Sequence, residues 1–138
     1  MNEYRWDDLS LGLSASFSVL VTEEMLVSFR RISGDSNPLH CDPEYARRAG
    51  FAGVVVHGLL SAAFYSTLAG VHLPGKSCLL HAIDLSFAKP IYVGDHLSVE
   101  GEITHLNDAC RQAEIRARIQ NGTGVTTSKA KIRVGVRD

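Results

Sequence analysis

The sequence predicts an α+β domain covering residues 1–138, with one antiparallel sheet curled around a single long helix at about residues 57–70. Three observations carry that prediction. From Gly58 to Ala69 the residues are small or apolar on nearly every side, the pattern of a helix enclosed all round. Beyond Gly75, apolar and polar residues alternate in runs of strand length. Four strands with one apolar face each need something to cover, and an apolar helix needs something to wrap it.

Composition sets the outer limits. A chain of 138 residues is one domain by length and buries roughly two thirds of its unfolded surface. Its 45% hydrophobic and 21% charged content is that of an ordinary globular protein. A formal net charge of −1 gives no overall attraction to nucleic acid or to an anionic membrane. No apolar run reaches the length of a membrane span, and MNEYRWDDLS lacks the features of a signal peptide. Cys41, Cys78 and Cys110 are odd in number, widely spaced and free of C-x-x-C pairing. A reduced, cytoplasmic chain is therefore expected.

Taken in order, residues 4–12 form an irregular lead-in anchored by Tyr4 and Trp6. Ala15, Phe17 and Val19 then alternate with serines, a short strand. Thr22 is placed to cap a helix over residues 23–32, with Glu23 and Glu24 at its positive end and Val21 and Leu26 as a hydrophobic staple. Asp42-Pro43 opens a second short helix, from Pro43 to about Ala49, closed by Gly50. His57-Gly58 announces the long apolar helix, and VHLPG ends it. The later strands place Leu79, His81, Ile83, Leu85 and Phe87 on one face, then Leu97 to Ile103, Ala113 to Ile119 and Ala130 to Val136. Turns at residues 106–109 and 121–124 join the last three as hairpins.

Between the first two helices lies SGDSNPLH, residues 33–40, which has neither helical nor strand period. Pro38 fixes its own φ and pushes Asn37 out of the helical region, so the segment must turn. Such a turn can set Asp35 beside His40, and a carboxylate beside an imidazole is the minimum kit for holding and activating a water molecule. Taken alone, the same residues read first as a turn whose Asp and Asn bond local backbone N–H groups. At the helix start, Gly58 would present an unpaired N–H without a side chain in the way. Its alternative role is a packing glycine where helix meets sheet.

The opening W-D-D-L, V-T-E-E-M, F-R-R-I-S-G-D-S-N-P-L-H, V-V-H-G-L-L, L-P-G-K, L-S-F-A-K-P-I and V-G-D occur in one order and spacing over nearly the whole chain. In this the sequence resembles the MaoC-like dehydratases, close to the (R)-specific enoyl-CoA hydratases of the hot-dog fold. The resemblance implies a hydro-lyase that reversibly adds water to a trans-2-enoyl thioester, giving the (R)-3-hydroxyacyl thioester. It assigns the catalytic water to Asp35 and His40 and the thioester carbonyl to the Gly58 N–H, an oxyanion site for the enolate-like charge. It implies no metal and no bound redox cofactor, with coenzyme A or acyl carrier protein as the carrier of the substrate.

Asn37, His57, Ser61, Ala63, His81 and Ile83 are the further candidates around the acyl pocket. Ala63 stands where many relatives carry serine, six residues after the V-H-G histidine, and Ser61 lies nearby on a different helical face. Ile83 stands where related chains often have glutamine, with His81 two residues earlier. His57 is either a third catalytic histidine or, as is commoner, a buried hydrogen-bonded ring fixing the helix start. His81 is either a satisfied core histidine or a polar contact in the pocket. Arg111, Arg116, Arg118, Lys129, Lys131 and Arg133 read first as a solvated sheet face paired with Glu100, Glu102 and Glu114, and second as a surface for carrier phosphates or an acidic carrier protein.

Two rival activities remain at this level: a thioesterase on the same fold, and a catalytically weak acyl-thioester-binding subunit. Thioesterases of this fold usually place a carboxylate on the central helix, and Gly58–Gly70 contains none. Open sheet edges and a helix too apolar for one short chain to cover predict a homodimer, or a dimer of dimers.

Overall fold

A computed structural model describes residues 1–137. The elements are β1 (Ser14–Leu20), α1 (Glu23–Ser33), α2 (Pro43–Arg48), α3 (Gly58–Thr67), β2 (Cys78–Phe87), β3 (His96–Asn107), β4 (Gln112–Gln120) and β5 (Thr126–Val136). Short 3-10 turns at Trp6–Asp8 and Pro38–His40 join them. The five strands form one antiparallel sheet in the order β1-β3-β4-β5-β2, so β1 and β2 are its edges. The core lies between this sheet and α3, around Leu60, Tyr65, Leu68, Val99, Ile115 and Ile132. This is the predicted helix-on-curled-sheet architecture.

Local chemistry explains how each helix begins and ends. Thr22 accepts a hydrogen bond from the Met25 N–H at 3.3 Å, capping α1. Gly34, at φ 75°, takes the left-handed conformation that ends it. Asp42 accepts from the N–H groups of Glu44 and Tyr45 to start α2. The helix α3 continues as a wider π turn over Leu68–His72, two residues past the expected end.

That wider turn sits directly on β3. A Cβ at Gly101 would lie 2.7 Å from Leu68 Cδ2 and 2.9 Å from Ile115 Cγ2, so only glycine lets helix and sheet approach this closely. Gly101→Ala is expected to destabilise the fold by about 1–3 kcal/mol through overpacking. A lowered urea midpoint with an unchanged slope would show it.

The expectation that α3 is enclosed all round does not hold within one chain. Leu59 is 65% exposed, and Ala63 and Ser66 are exposed with it. These residues fall at i, i+4 and i+7, one continuous stripe. A single curled sheet covers one side of a helix and leaves this stripe open. On the covered side, the Tyr65 hydroxyl hydrogen-bonds Ser128 Oγ at 2.8 Å. Burial pushes the Tyr65 phenol up to about 12, and it stays neutral.

The face assignment of β2 is corrected at its N-terminal end. The register with β5 shifts between Leu80 and Ala82, leaving His81 as an extra residue. Leu80 pairs with Val134 before the bulge and Ile83 with Ile132 after it, so Leu80, Ile83, Leu85 and Phe87 share the core-side face. His81 is turned to the opposite face, where its ring lies over Gly135 and bonds the Gln112 side chain at 3.0 Å. A strict period of two cannot register an inserted residue.

On the outer face of the sheet, cations and carboxylates oppose one another. Arg118 bonds Glu100, Lys131 Nζ lies 4.0 Å from Glu114, and Glu102 pairs in register with Arg116. This is the solvated, paired face expected from the alternation of these strands.

Candidate active site

Gly34 ends α1 and throws residues 35–40 across the start of α3. Asp35 Oδ1 accepts the Asn37 N–H at 3.1 Å, and Asn37 Oδ1 accepts the Leu39 N–H at 2.9 Å. These two Asx bonds fold the turn tightly. The turn is then clasped to the strand-like segment before α3. The Val55 N–H donates to the Leu39 carbonyl at 3.1 Å, and the Val55 carbonyl accepts from His40 Nδ1 at 2.7 Å. The Val56 N–H in turn donates to Ile91 at 2.8 Å, tying this layer to the loop before β3.

The clasp fixes the chemistry of His40. A carbonyl oxygen can only accept, so His40 Nδ1 carries a proton, and in the neutral tautomer the lone pair lies at Nε2. Nε2 stands 4.0 Å from Asp35 Oδ2. The His40 side chain is mostly buried, and that of Asp35 is half-exposed.

His57 lies behind this pair. Its Nε2 is 3.1 Å from the Asp35 backbone carbonyl, and its ring stacks on His40 with centroids 3.9 Å apart and planes 26° apart. Phe29 of α1 packs against the same ring at 5.0 Å. His57 is buried, and its Nδ1 has no hydrogen-bond partner among the described residues. An unsatisfied buried acceptor of that kind costs about 1–3 kcal/mol.

Asp35, His40 and His57 offer ligand atoms within 4.8 Å of one another, as a metal site would require. Two of the four ring nitrogens, His40 Nδ1 and His57 Nε2, are however already engaged by the Val55 and Asp35 backbone carbonyls.

A cleft of about 360 Å³ opens beside the pair, walled by His40, Val55, Gly58, Ser61, Phe87 and Ile91, among others. The Gly58 N–H belongs to the first turn of α3, where no intrahelical acceptor exists. The carbonyl of the same peptide unit, at His57, accepts from the N–H groups of Leu60 at 3.0 Å and Ser61 at 3.3 Å. Those two bonds polarise the unit and strengthen its N–H as a donor. Ser61 Oγ donates to the Gly58 carbonyl at 2.7 Å, so its hydroxyl hydrogen is already engaged. The Phe87 ring lies over Gly58, with Cζ 3.1 Å from the position a Cβ would take.

The structure thus brings Asp35, His40, His57, Gly58 and Ser61 together. Asn37 joins them only through its turn, since its side-chain oxygen is spent on Leu39. Ala63 is exposed on the open stripe of α3, and neither it, Ile83 nor His81 walls this cleft. The substitution of alanine for the usual serine therefore falls away from the cleft, while Ser61 lies in it. Sequence reasoning missed the Val55 carbonyl, whose role leaves no trace in residue type. It also missed Phe87 as the cover of Gly58, although strand alternation could have aimed that ring inward.

A helix seated on a curled antiparallel sheet, with a carboxylate–imidazole pair beside the start of that helix, defines a protein of the hot-dog fold. The sequence matches the family of MaoC like domains over residues 12–125, and the chain belongs to that family. It is 35% identical over 128 residues to an (R)-specific enoyl-CoA hydratase of Aeromonas caviae, covering 91% of this chain and 96% of that one. It is 30% identical over 120 residues to a 3-hydroxybutyryl-CoA dehydratase of Methylorubrum extorquens, covering 87% and 76%. Among solved structures, the (R)-hydratase of A. caviae involved in PHA biosynthesis superposes with a TM-score of 0.89 at 33% identity, over 94% of this chain and 98% of that one.

Proposed function

We propose that this protein is a lyase that reversibly hydrates a trans-2-enoyl thioester to the (R)-3-hydroxyacyl thioester. The observation that carries the chemistry is the 4.0 Å separation of His40 Nε2 and Asp35 Oδ2. That span is too long for a direct hydrogen bond and suits one bridging water. A water there donates one hydrogen to the His40 lone pair and the other to the Asp35 carboxylate. Its own lone pair is then free to attack C3 of the enoyl group.

As the C–O bond forms, the pair takes one proton from the water, and the C2–C3 π electrons move toward the thioester carbonyl. The Gly58 N–H, strengthened by the polarised His57–Gly58 peptide, meets the developing enolate oxygen. A proton held by the pair returns to C2 from the same face, and the reverse sequence eliminates water. Carbon is neither oxidised nor reduced overall, so the steps call for no redox cofactor, and no step needs a metal.

The two relatives described above, matched over most of this chain, are named for coenzyme A substrates, which favours coenzyme A over acyl carrier protein as the carrier. The test is purified protein with crotonyl-CoA and longer enoyl-CoA thioesters, following loss of the conjugated thioester and release of free thiol together. Hydration without thiol release is expected. Thiol release would reveal a thioesterase, and neither change a binding subunit.

The working unit is a homodimer, or a dimer of such dimers. The edge strand β2 leaves one row of backbone groups unpaired and exposes Leu79, Leu80, Ile83 and Phe87, and Leu59 is bare on α3. Light scattering should give twice the chain mass or a multiple of it, and a fully active monomer would contradict this. No helix among the described residues is long and apolar enough to cross a membrane. With Cys41, Cys78 and Cys110 all free thiols, the cytoplasm is the compartment that fits.

A further inference from the structure

We infer that His57 is a positioning residue of the hydration reaction, holding Asp35 through its backbone and His40 through its ring. The inference rests on the hydratase reading above and gives His57 a task apart from proton transfer and from substrate contact.

The Val55 clasp holds the far end of the loop at Leu39 and His40, while the other hydrogen bonds of Asp35 itself are local. The Asp35 N–H donates to Ser33 Oγ at 3.2 Å, and its carboxylate accepts from Asn37, both two residues away. The bond from His57 Nε2 to the Asp35 carbonyl, 3.1 Å long, reaches it from 22 positions along the chain. Since a carbonyl only accepts, that nitrogen carries the proton. The same ring lies 3.9 Å from the His40 ring, while the Val55 carbonyl fixes the His40 edge. One side chain, itself rooted at the start of α3, thereby sets the distance between the two groups that share the water.

Its surroundings favour this task. His57 Nε2–H is committed to the carbonyl, and Nδ1 is buried with no partner among the described residues. The ring makes no side-chain cap for α3. Were it only packing, an apolar ring would fill the space without leaving Nδ1 unsatisfied. What histidine adds over such a ring is the Nε2–H bond.

Three variants separate these roles. His57→Phe keeps the ring and loses the donor, His57→Gln keeps a donor at a similar reach, and His57→Ala keeps neither. Misplacing reacting groups by an ångström costs up to about a hundredfold, so His57→Phe and His57→Ala should lower kcat by tens-fold with KM within about twofold. His57→Gln should recover most of that loss. Parent-like kcat in His57→Phe would overturn the inference, as would His57→Gln no better than His57→Ala. Ring-nitrogen NMR of the parent protein supplies an activity-independent arm. It should show His57 protonated at Nε2 and His40 at Nδ1, and an Nδ1–H tautomer at His57 overturns the inference whether or not any variant folds. If the parent hydrates no enoyl thioester while this tautomer pattern is present, the hydratase reading fails and the clamp itself stands.

Discussion

Asp35→Asn should lower enoyl-thioester turnover by a factor on the order of a hundred or more, the scale of acid–base terms, with the fold intact. The change removes the negative charge and the proton acceptor. It leaves an amide oxygen able to accept the Asn37 N–H that Asp35 Oδ1 now takes at 3.1 Å. His40→Ala removes the other holder of the water and should cost a similar factor. If the two share one water across their 4.0 Å gap, the double variant loses far less than the product of the singles. Asp35→Asn should cost about 1 kcal/mol of stability at most, whereas His40→Ala, which strips the Val55 carbonyl of its donor, should cost about 1–3 kcal/mol. Steady-state rates of parent, singles and double, with circular dichroism as the fold control, check the whole set. Near-normal turnover in Asp35→Asn would defeat the chemistry, and strictly multiplicative losses would separate the residues into different events.

Gly58→Val carries the second large effect. Gly58 shares the cleft with Phe87, and a Cβ built there reaches toward the ring at 3.1–3.4 Å. Phe87 is half-exposed and can swing away, so the helix should survive the substitution. The added carbons then fill the space through which a carbonyl must approach the N–H. Losing one oxyanion donor is worth about 100- to 1,000-fold in kcat. Parent-like turnover in a folded Gly58→Val protein would place the carbonyl elsewhere.

Much of this architecture is legible in the residues because each element carries its own local signal. Thr22 with two following glutamates starts α1, and the alternation of β3, β4 and β5 faces Val99, Ile115 and Ile132 into the core as the period demands. The Asp35–His40 turn is legible because Pro38 pushes Asn37 out of the helical region and lacks the N–H that a strand ladder needs, so α1 cannot continue through it and no strand is favoured. What failed has a common physical origin: it depends on pairing or on neighbours in space. The bulge at His81 is an extra residue that only the register against β5 defines. The open stripe of Leu59, Ala63 and Ser66 looks enclosed in sequence because apolar composition cannot tell a sheet from a second chain as its cover. The Val55 carbonyl and the His57 clamp are backbone and tautomer effects, set by which atoms meet across the fold.

The central claim, one water delivered and one proton returned on a single face, is tested most directly by running the hydration of crotonyl-CoA in heavy water. The account predicts (R)-3-hydroxybutyryl-CoA carrying one deuterium at C2, on the same face as the new hydroxyl. An (S) product, deuterium on the opposite face, or free crotonate with released coenzyme A would contradict it.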